Sequence, residues 1–301
     1  MKTYITRNPT LFNASATLDW RHYYDSYARL GEVEFMVHEV GQSYLCLPFT
    51  KINSDIICSG RSFVGGFMTK KTLPDDCSKY MNHCFNYFYK AGFKHVIHKE
   101  LPKFYEYQTG FSEWQLDLFP KPIVNTGETS IVYRNKFKLN ENRRRLYSKY
   151  QKNFIIKQVH SDEEIKDYWN FLSHSLSDRN LGTLPLDRIH FLTSILGHRY
   201  KLFGINNKNK EIAGTILIDN YHGVSRLVNY FFSKDNESKG AFETFLSIYV
   251  ESEINEFKIM DFGSSSNPNT GEIVSSILKF KKSFNTEQAP TFQKKYMLTG
   301  L

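Results

Sequence analysis

The sequence predicts an α/β (α+β) chain in which mixed sheets carry flanking helices, arranged in two successive halves. Three observations predict it. Segments that alternate apolar and polar residues are interleaved with segments whose apolar residues recur every three or four positions, the periods of strand and helix. The second half repeats the order of the first. A length of 301 residues favours two cores over one. The expected division is 1–140 and 141–301.

In the first half, Ala14 to Leu30 reads as an amphipathic helix, with Trp20, Tyr23, Tyr24 and Tyr27 on one stripe. Glu32 to Val40 and Ser43 to Leu47 make a hairpin about Gly41-Gln42, and Pro48 is expected to end its second strand. Ile52 to Ser59 is the next strand. Gly60-Arg61-Ser62-Phe63-Val64-Gly65-Gly66-Phe67 is either a turn that needs positive φ or backbone that lines a ligand cleft. A helix over 76–92, capped by Asp75 or Asp76, stops at Gly92. His95 to Lys99 is a strand, Phe104 to Thr109 a helix, and Trp114 to Phe119 a strand. Residues 120–140 read as a connector with one strand-like patch, Ser130 to Tyr133.

The second half opens on a basic helix, Leu139 to Tyr150, with Asn140 as its N-cap. Its arginines Arg143, Arg144 and Arg145 form either a solvated face or a phosphate-binding one. Phe154 to Val159 is a strand. Ser161 and Glu164 have capping-box spacing before a helix with Ile165, Tyr168, Trp169 and Leu172 on one face. Leu186 to Leu196 is a second helix. Strands follow at Tyr200 to Ile205, Glu211 to Asp219 and Val224 to Ser233, then a helix over Glu243 to Glu256 and a strand over Lys258 to Phe262. That strand enters a Gly/Ser/Asn loop, Gly263 to Gly271, before a basic, aromatic helix containing Lys279, Phe280, Lys281 and Lys282.

The order strand, helix, helix, strand, hairpin, strand, helix, strand, loop-helix, strand is that of a GNAT acyltransferase domain. The second half resembles the catalytic half of the tandem-GNAT group that includes the Fem-type aminoacyltransferases and their acyl-CoA-using relatives. The resemblance is carried by Asn142-Arg143-Arg144-Arg145 with Lys149 and Lys152, by Ser177-Asp178-Arg179-Asn180-Leu181-Gly182, by Ala213-Gly214-Thr215-Ile216-Leu217-Ile218, and by Asp261-Phe262-Gly263 through Lys279-Phe280-Lys281. The first half resembles the group's degenerate N-terminal domain, with Ser59 to Phe67 as its Gly-rich loop.

The resemblance implies an acyltransferase that moves an acyl or aminoacyl group from a thioester (acyl-CoA) or an aminoacyl-tRNA to an amine of a sugar, amino acid or cell-envelope precursor. In such a sheet the fourth and fifth strands splay, and unpaired N–H groups face the donor carbonyl; here these lie along Asn229-Tyr230-Phe231-Phe232. Asn229 and Tyr230 are the implied catalytic residues beside Asp261, which is either a base or orienter of the acceptor amine or a strand-end carboxylate that accepts loop N–H groups. Phe232, Ser238, Lys239, Gly240 and Ala241 are implied to bind the donor. Arg179, Ser264, Ser265, Lys279 and Lys282 are implied to bind the acceptor. One stretch departs from the pattern: in Glu237-Ser238-Lys239-Gly240-Ala241-Phe242, Glu237 brings negative charge and Phe242 bulk where the group holds phosphate.

Composition bounds the rest. Apolar residues are 41% and aromatics 16% of the chain, which supplies cores and excludes disorder. A net charge of +8 points to anionic partners. The competing class is therefore a non-catalytic GNAT scaffold that binds nucleic acid or another anionic polymer. The four cysteines, Cys46, Cys58, Cys77 and Cys84, form no CxxC and have no His at zinc spacing, so no metal is expected. With no signal-peptide pattern and no apolar run of membrane-spanning length, a cytoplasmic protein is expected.

Overall fold

The computed structural model describes residues 2–6, 33–40, 43–58, 68–70, 74–99, 102, 104, 121–177, 184–195, 197, 199–221, 223–233, 235–252, 256–266 and 272–298. The helix expected over Ala14 to Leu30, the Gly-rich loop through Phe67, most of the segment from Phe104 to Phe119, and Arg179 lie outside them. The chain divides into two compact units, residues 1–127 with 290–301, and residues 128–289.

Unit 1 is a sheet in the order β1 (Lys2–Thr6), β2 (Val33–Val40), β3 (Ser43–Ile52), β4 (Asp55–Cys58), β6 (His95–Lys99) and the latter part of β13 (Glu287–Met297). A short β5 (Met68–Lys70) pairs with β3. Helix α1 (Pro74–Lys90) places Met81, Cys84, Phe85 and Phe88 at i, i+3, i+4 and i+7, and all four are fully buried against sheet residues such as Leu47, Phe49 and Val96. Gly92 follows at φ 87, the left-handed stop expected there.

One strand boundary departs from the sequence reading. Pro48 does not end its strand: β3 runs through it to Ile52. On one side Pro48 stands opposite Phe35 of β2; on the other it falls between β5, which pairs Tyr44–Cys46, and β4, which pairs Phe49–Ile52. A residue with no N–H is tolerated at such a gap between partners.

His98 on β6 is buried, and burial, helped by the positive charge of Lys294, lowers its pKa to about 4. Because the folded value lies below the ordinary histidine value of 6.5, the unfolded chain takes up the proton first as pH falls. The His98 contribution to stability is therefore complete above pH 6.5 and is lost progressively as pH falls towards about 4. The expected loss is on the order of 3 kcal/mol. Urea unfolding at pH 7, 5.5 and 4.5, followed by amide exchange of β6, should show this slope, and His98→Phe should flatten it.

Unit 2 is a mixed sheet in the order β7 (Ile123–Tyr133, its latter part), β12 (Ile259–Ser264), β11 (Val224–Phe232), β10 (Ile212–Tyr221), β9 (Tyr200–Asn207) and β8 (Phe154–Val159). Only β11 and β12 pair in parallel. On β10, Ile216 and Ile218 face one core and Leu217 faces another, as the two-residue period requires. The first core is closed by α5 (Ala241–Glu251), and the second by α3 (Asp162–Ser177) and α4 (Leu186–Ile195). Ser161 Oγ accepts the Glu164 N–H at 3.3 Å, and Asn140 Oδ1 accepts the Arg143 N–H at 3.0 Å to start α2 (Glu141–Tyr150). The remaining helix is α6 (Ser275–Lys282).

Two more boundaries are corrected. The patch expected at Ser130 to Tyr133 is the end of an eleven-residue strand. Asn125, Thr126 and Gly127, expected within the connector, belong to this strand, and a Cβ on Gly127 would lie 2.8 Å from Thr291 Oγ1. Helix α5 is shorter than expected. It starts right after Gly240, and at its end the Arg134 guanidinium takes the carbonyls of Val250 and Ser252 at 2.9 and 2.8 Å.

Candidate functional site

The site begins where two strands part. β11 pairs with β12 only over Val224–Arg226, although it continues to Phe232. On its other edge β11 stays registered with β10, but Leu217 stands opposite Asn229 while Ile218 stands opposite Leu227. Val228 is thus the extra residue of a β-bulge, which bends the strand at the point of parting. Gly214 assists: it faces Phe232, whose ring lies 2.4 Å from where a Cβ would be.

The parting opens a cavity of about 770 Å³. Its lining includes Val228 to Phe232 of β11 and Ser233 just after it, Ser238 to Glu243 at the start of α5, Arg143 and Leu146 of α2, Leu176 of α3, and Ser276, Ile277 and Phe280 of α6. Gly240 sits at φ 84, and a Cβ there would meet Tyr150 Cβ at 3.0 Å and the Leu146 carbonyl oxygen at 3.2 Å. Only glycine lets the chain turn into α5 this close to α2. The Ala241 N–H bonds back to Ser238 O at 3.1 Å, and the Thr244 N–H to Gly240 O at 2.9 Å. Between them stand the amides of Phe242 and Glu243, orphan donors of the helix start, with Lys239 exposed beside them.

Of the two residues that depart from the phosphate-loop pattern, Glu237 lies outside the lining and Phe242 packs into its aromatic wall. The Glu237 carboxylate accepts the side-chain amides of Asn207 at 3.2 Å and Asn209 at 2.8 Å. The Phe242 ring stacks on Tyr230, centroids 5.5 Å apart, and packs against Phe232, Phe280 and Phe284. The acidic residue in the first turn is Glu243. It is buried and ion-paired with Arg143, whose guanidinium lies 4.9 Å from the Phe280 ring centroid and 5.0 Å from that of Phe284. Burial pushes the Tyr230 phenol up to about 12, so it stays protonated at any physiological pH.

A second polar group lies at the end of β12. Asp261 is fully buried; its Oδ1 accepts from Thr129 Oγ1 at 2.5 Å and from the Gly263 N–H at 2.7 Å, and Oδ2 stands 3.4 Å from Arg226 Nη1. Lys281 is buried beside it and donates to the carbonyls of Gly263 at 2.8 Å and Ser264 at 2.6 Å. Burial lowers the Lys281 pKa to about 8, against the pull of Asp261 and with the push of Arg226.

The structure therefore gathers Asn229, Tyr230, Phe232, Ser238, Lys239, Gly240 and Ala241 around one cavity. Asp261, Ser264, Ser265, Lys279 and Lys282 do not line it. Ser264, Lys279 and Lys282 are exposed, and Ser265 is buried. The sequence reading gave Lys281 and Ile277 no role, and it left Arg143 open between a solvated face and a phosphate-binding one. Their signal is spacing: Arg143, Leu146, Tyr147 and Tyr150 share one face of α2, and Ile277, Phe280, Lys281 and Phe284 share one stripe of α6 and its end. Among the described residues no group of His, Cys, Asp or Glu gathers as a metal site, and no helix is long and apolar enough to cross a membrane.

With this geometry in hand, solved structures give the comparison. L-PGS from Bacillus licheniformis superposes with a TM-score of 0.62 at 14% identity, over 94% of this chain and 93% of that one. FemX superposes with a TM-score of 0.57 at 10% identity, over 90% of each chain. The C-terminal domain of a provisionally assigned lysylphosphatidylglycerol synthetase from Agrobacterium fabrum gives 0.60 at 14% identity, over 91% and 87%. The chain has the fold of the Fem-related, GNAT-type group. The likeness runs nearly end to end, so both units have counterparts in these proteins. No family model matches the sequence. No curated protein matches it either.

Proposed function

We propose that the chain is an acyltransferase that moves an acyl or aminoacyl group from a carrier to an amine of a sugar, amino acid or envelope precursor, with residues 128–289 as its donor-binding half and the N-terminal half as a degenerate partner domain. One observation carries the reading: the parting of β11 from β12, which turns the Val228–Phe232 edge towards a cavity whose rim is the start of α5. The names of the structural neighbours support it, since a lysylphosphatidylglycerol synthetase is named for a product that joins a lysyl group to a lipid.

In this reading the donor carbonyl lies against β11, and backbone N–H groups of the bulged edge stabilise the oxyanion formed when the amine attacks. The C–S bond of a thioester, or the C–O bond of an ester, then breaks. The Tyr230 phenol, held protonated by burial, gives its proton to the leaving group, and the proton shed by the attacking amine restores the phenol. The carrier phosphate meets Lys239 and the amides of Phe242 and Glu243. Asp261 acts at a distance: it fixes the end of β12 through Thr129, Gly263 and Arg226. Acyl-CoA fits this rim as donor, because Lys239 is its one exposed cation among the described lining residues. An extended tRNA backbone needs more.

The test is titration of the full chain with CoA and with deacylated tRNA at 50 and 200 mM salt. Saturable CoA binding with shallow salt dependence, weakened at least about tenfold by Gly240→Ala, is expected. Binding of tRNA alone with a steep salt slope would instead support a non-catalytic polymer-binding scaffold.

A further inference from the structure

We propose that the acyl group received by the unit 2 cavity is an extended hydrocarbon chain, longer than acetyl and without an ammonium group. This rests on the reading of the cavity as a donor site and specifies which donor fits.

The walls are apolar: Leu146, Leu176, Val228, Phe231, Ile277 and Phe280 come from four different elements and meet at one space. A cavity of about 770 Å³ stands in the upper range of ligand sites, roughly 300–1,000 Å³. A two-carbon acyl group leaves most of such a wall in contact with water, whereas a chain of eight or more carbons covers it. Each methylene so buried tightens binding about threefold to fourfold.

Charge separates the hydrocarbon from an aminoacyl group. An aminoacyl donor brings an ammonium, which in an apolar cavity needs a carboxylate or several free acceptors. The one carboxylate among the described lining residues is Glu243, and Arg143 already holds it. The lining hydroxyls of Ser233 and Ser238 both donate to Asp235, which lies outside the lining, and the other neutral acceptors there, Asn229, Tyr230 and Ser276, carry no charge to balance an ammonium. The cavity is thus large, apolar, and without an unclaimed anion.

Isothermal titration of the full chain with acetyl-, hexanoyl-, 6-aminohexanoyl- and dodecanoyl-CoA, each below its aggregation concentration, tests this. Dodecanoyl-CoA is expected to bind at least about 100-fold more tightly than acetyl-CoA, and hexanoyl-CoA at least about tenfold more tightly than its equally long amino analogue. Ile277 is 37% exposed, so Ile277→Asp should fold, and its new carboxylate should reverse the preference between hexanoyl- and 6-aminohexanoyl-CoA. Equal binding of acetyl- and dodecanoyl-CoA would overturn the hydrocarbon assignment and leave the thioester donor standing. Chain-length dependence untouched by Ile277→Asp would place the chain elsewhere and also overturn it. Failure of every CoA ester to bind would overturn the donor reading beneath it.

Discussion

Arg143→Ala is expected to lower the stability of unit 2 by about 3 kcal/mol, read as a shift in the urea midpoint at unchanged m-value. The size follows from what the change leaves behind. The Glu243 side chain is 3% exposed and sits in the first turn of α5, so its carboxylate is left buried and unpaired once the guanidinium is gone. Arg143 also donates to Ser283 Oγ at 3.1 Å and covers the rings of Phe280 and Phe284, so α2, α5 and α6 lose a common tie. The helix start favours a negative charge at Glu243, which softens the loss without removing the cost of an unpaired buried carboxylate. The double change Arg143→Leu with Glu243→Leu takes out both charges and should recover most of the stability. A single-variant loss below about 1 kcal/mol would show that the pair is a surface contact, and the rim would then have no fixed charge.

Tyr230→Phe should lower the rate of acyl transfer by about 100-fold or more while changing the donor dissociation constant less than about threefold. The ring is kept by its packing on Phe242, and phenylalanine preserves that packing; what disappears is the proton. Burial holds the phenol protonated up to about pH 12, so the wild-type rate between pH 7 and 10 should show no limb from Tyr230 ionisation. Single-turnover transfer from an acyl-CoA to a panel of amines, with water as the reference acceptor, measures both quantities. An unchanged rate would reduce Tyr230 to a wall of the cavity and pass the leaving-group proton to water.

Much of the fold was legible because its elements are strongly periodic. The burial of Met81, Cys84, Phe85 and Phe88, the caps at Asn140 and Ser161, and the hairpin of β10 and β11 all follow from local pattern. What local pattern could not give was decided by partners distant in sequence. Pro48 stays in its strand because two different neighbours leave a gap for it, and the first part of β7 is strand where a connector was expected. The order of elements put Asn229, Tyr230 and Lys239–Ala241 at one junction, and these residues line one cavity. The charges were misjudged in a consistent way. Glu237, expected to repel phosphate, turns to Asn207 and Asn209, while Glu243, taken as ordinary helix, is the acid at the rim. Lys279 and Lys282 were singled out, yet Lys281 is the lysine that is buried. A cation on the apolar face of a helix is buried by its position, and spacing against neighbouring aromatics shows this where a tally of charges does not.

The parting of β11 from β12 has one more consequence. It creates a raw strand edge in the interior of a sheet, the kind of surface on which a second polypeptide strand pairs and aggregation begins. Proteins usually blunt such edges with charge or proline; here the edge carries Val228, Tyr230, Phe231 and Phe232 and is blunted by neither. Its protection is architectural. The other walls of the cavity come from α2, α3, α5 and α6, so this edge faces helices of its own unit. The elements that wall the cavity thus also screen the edge from other chains.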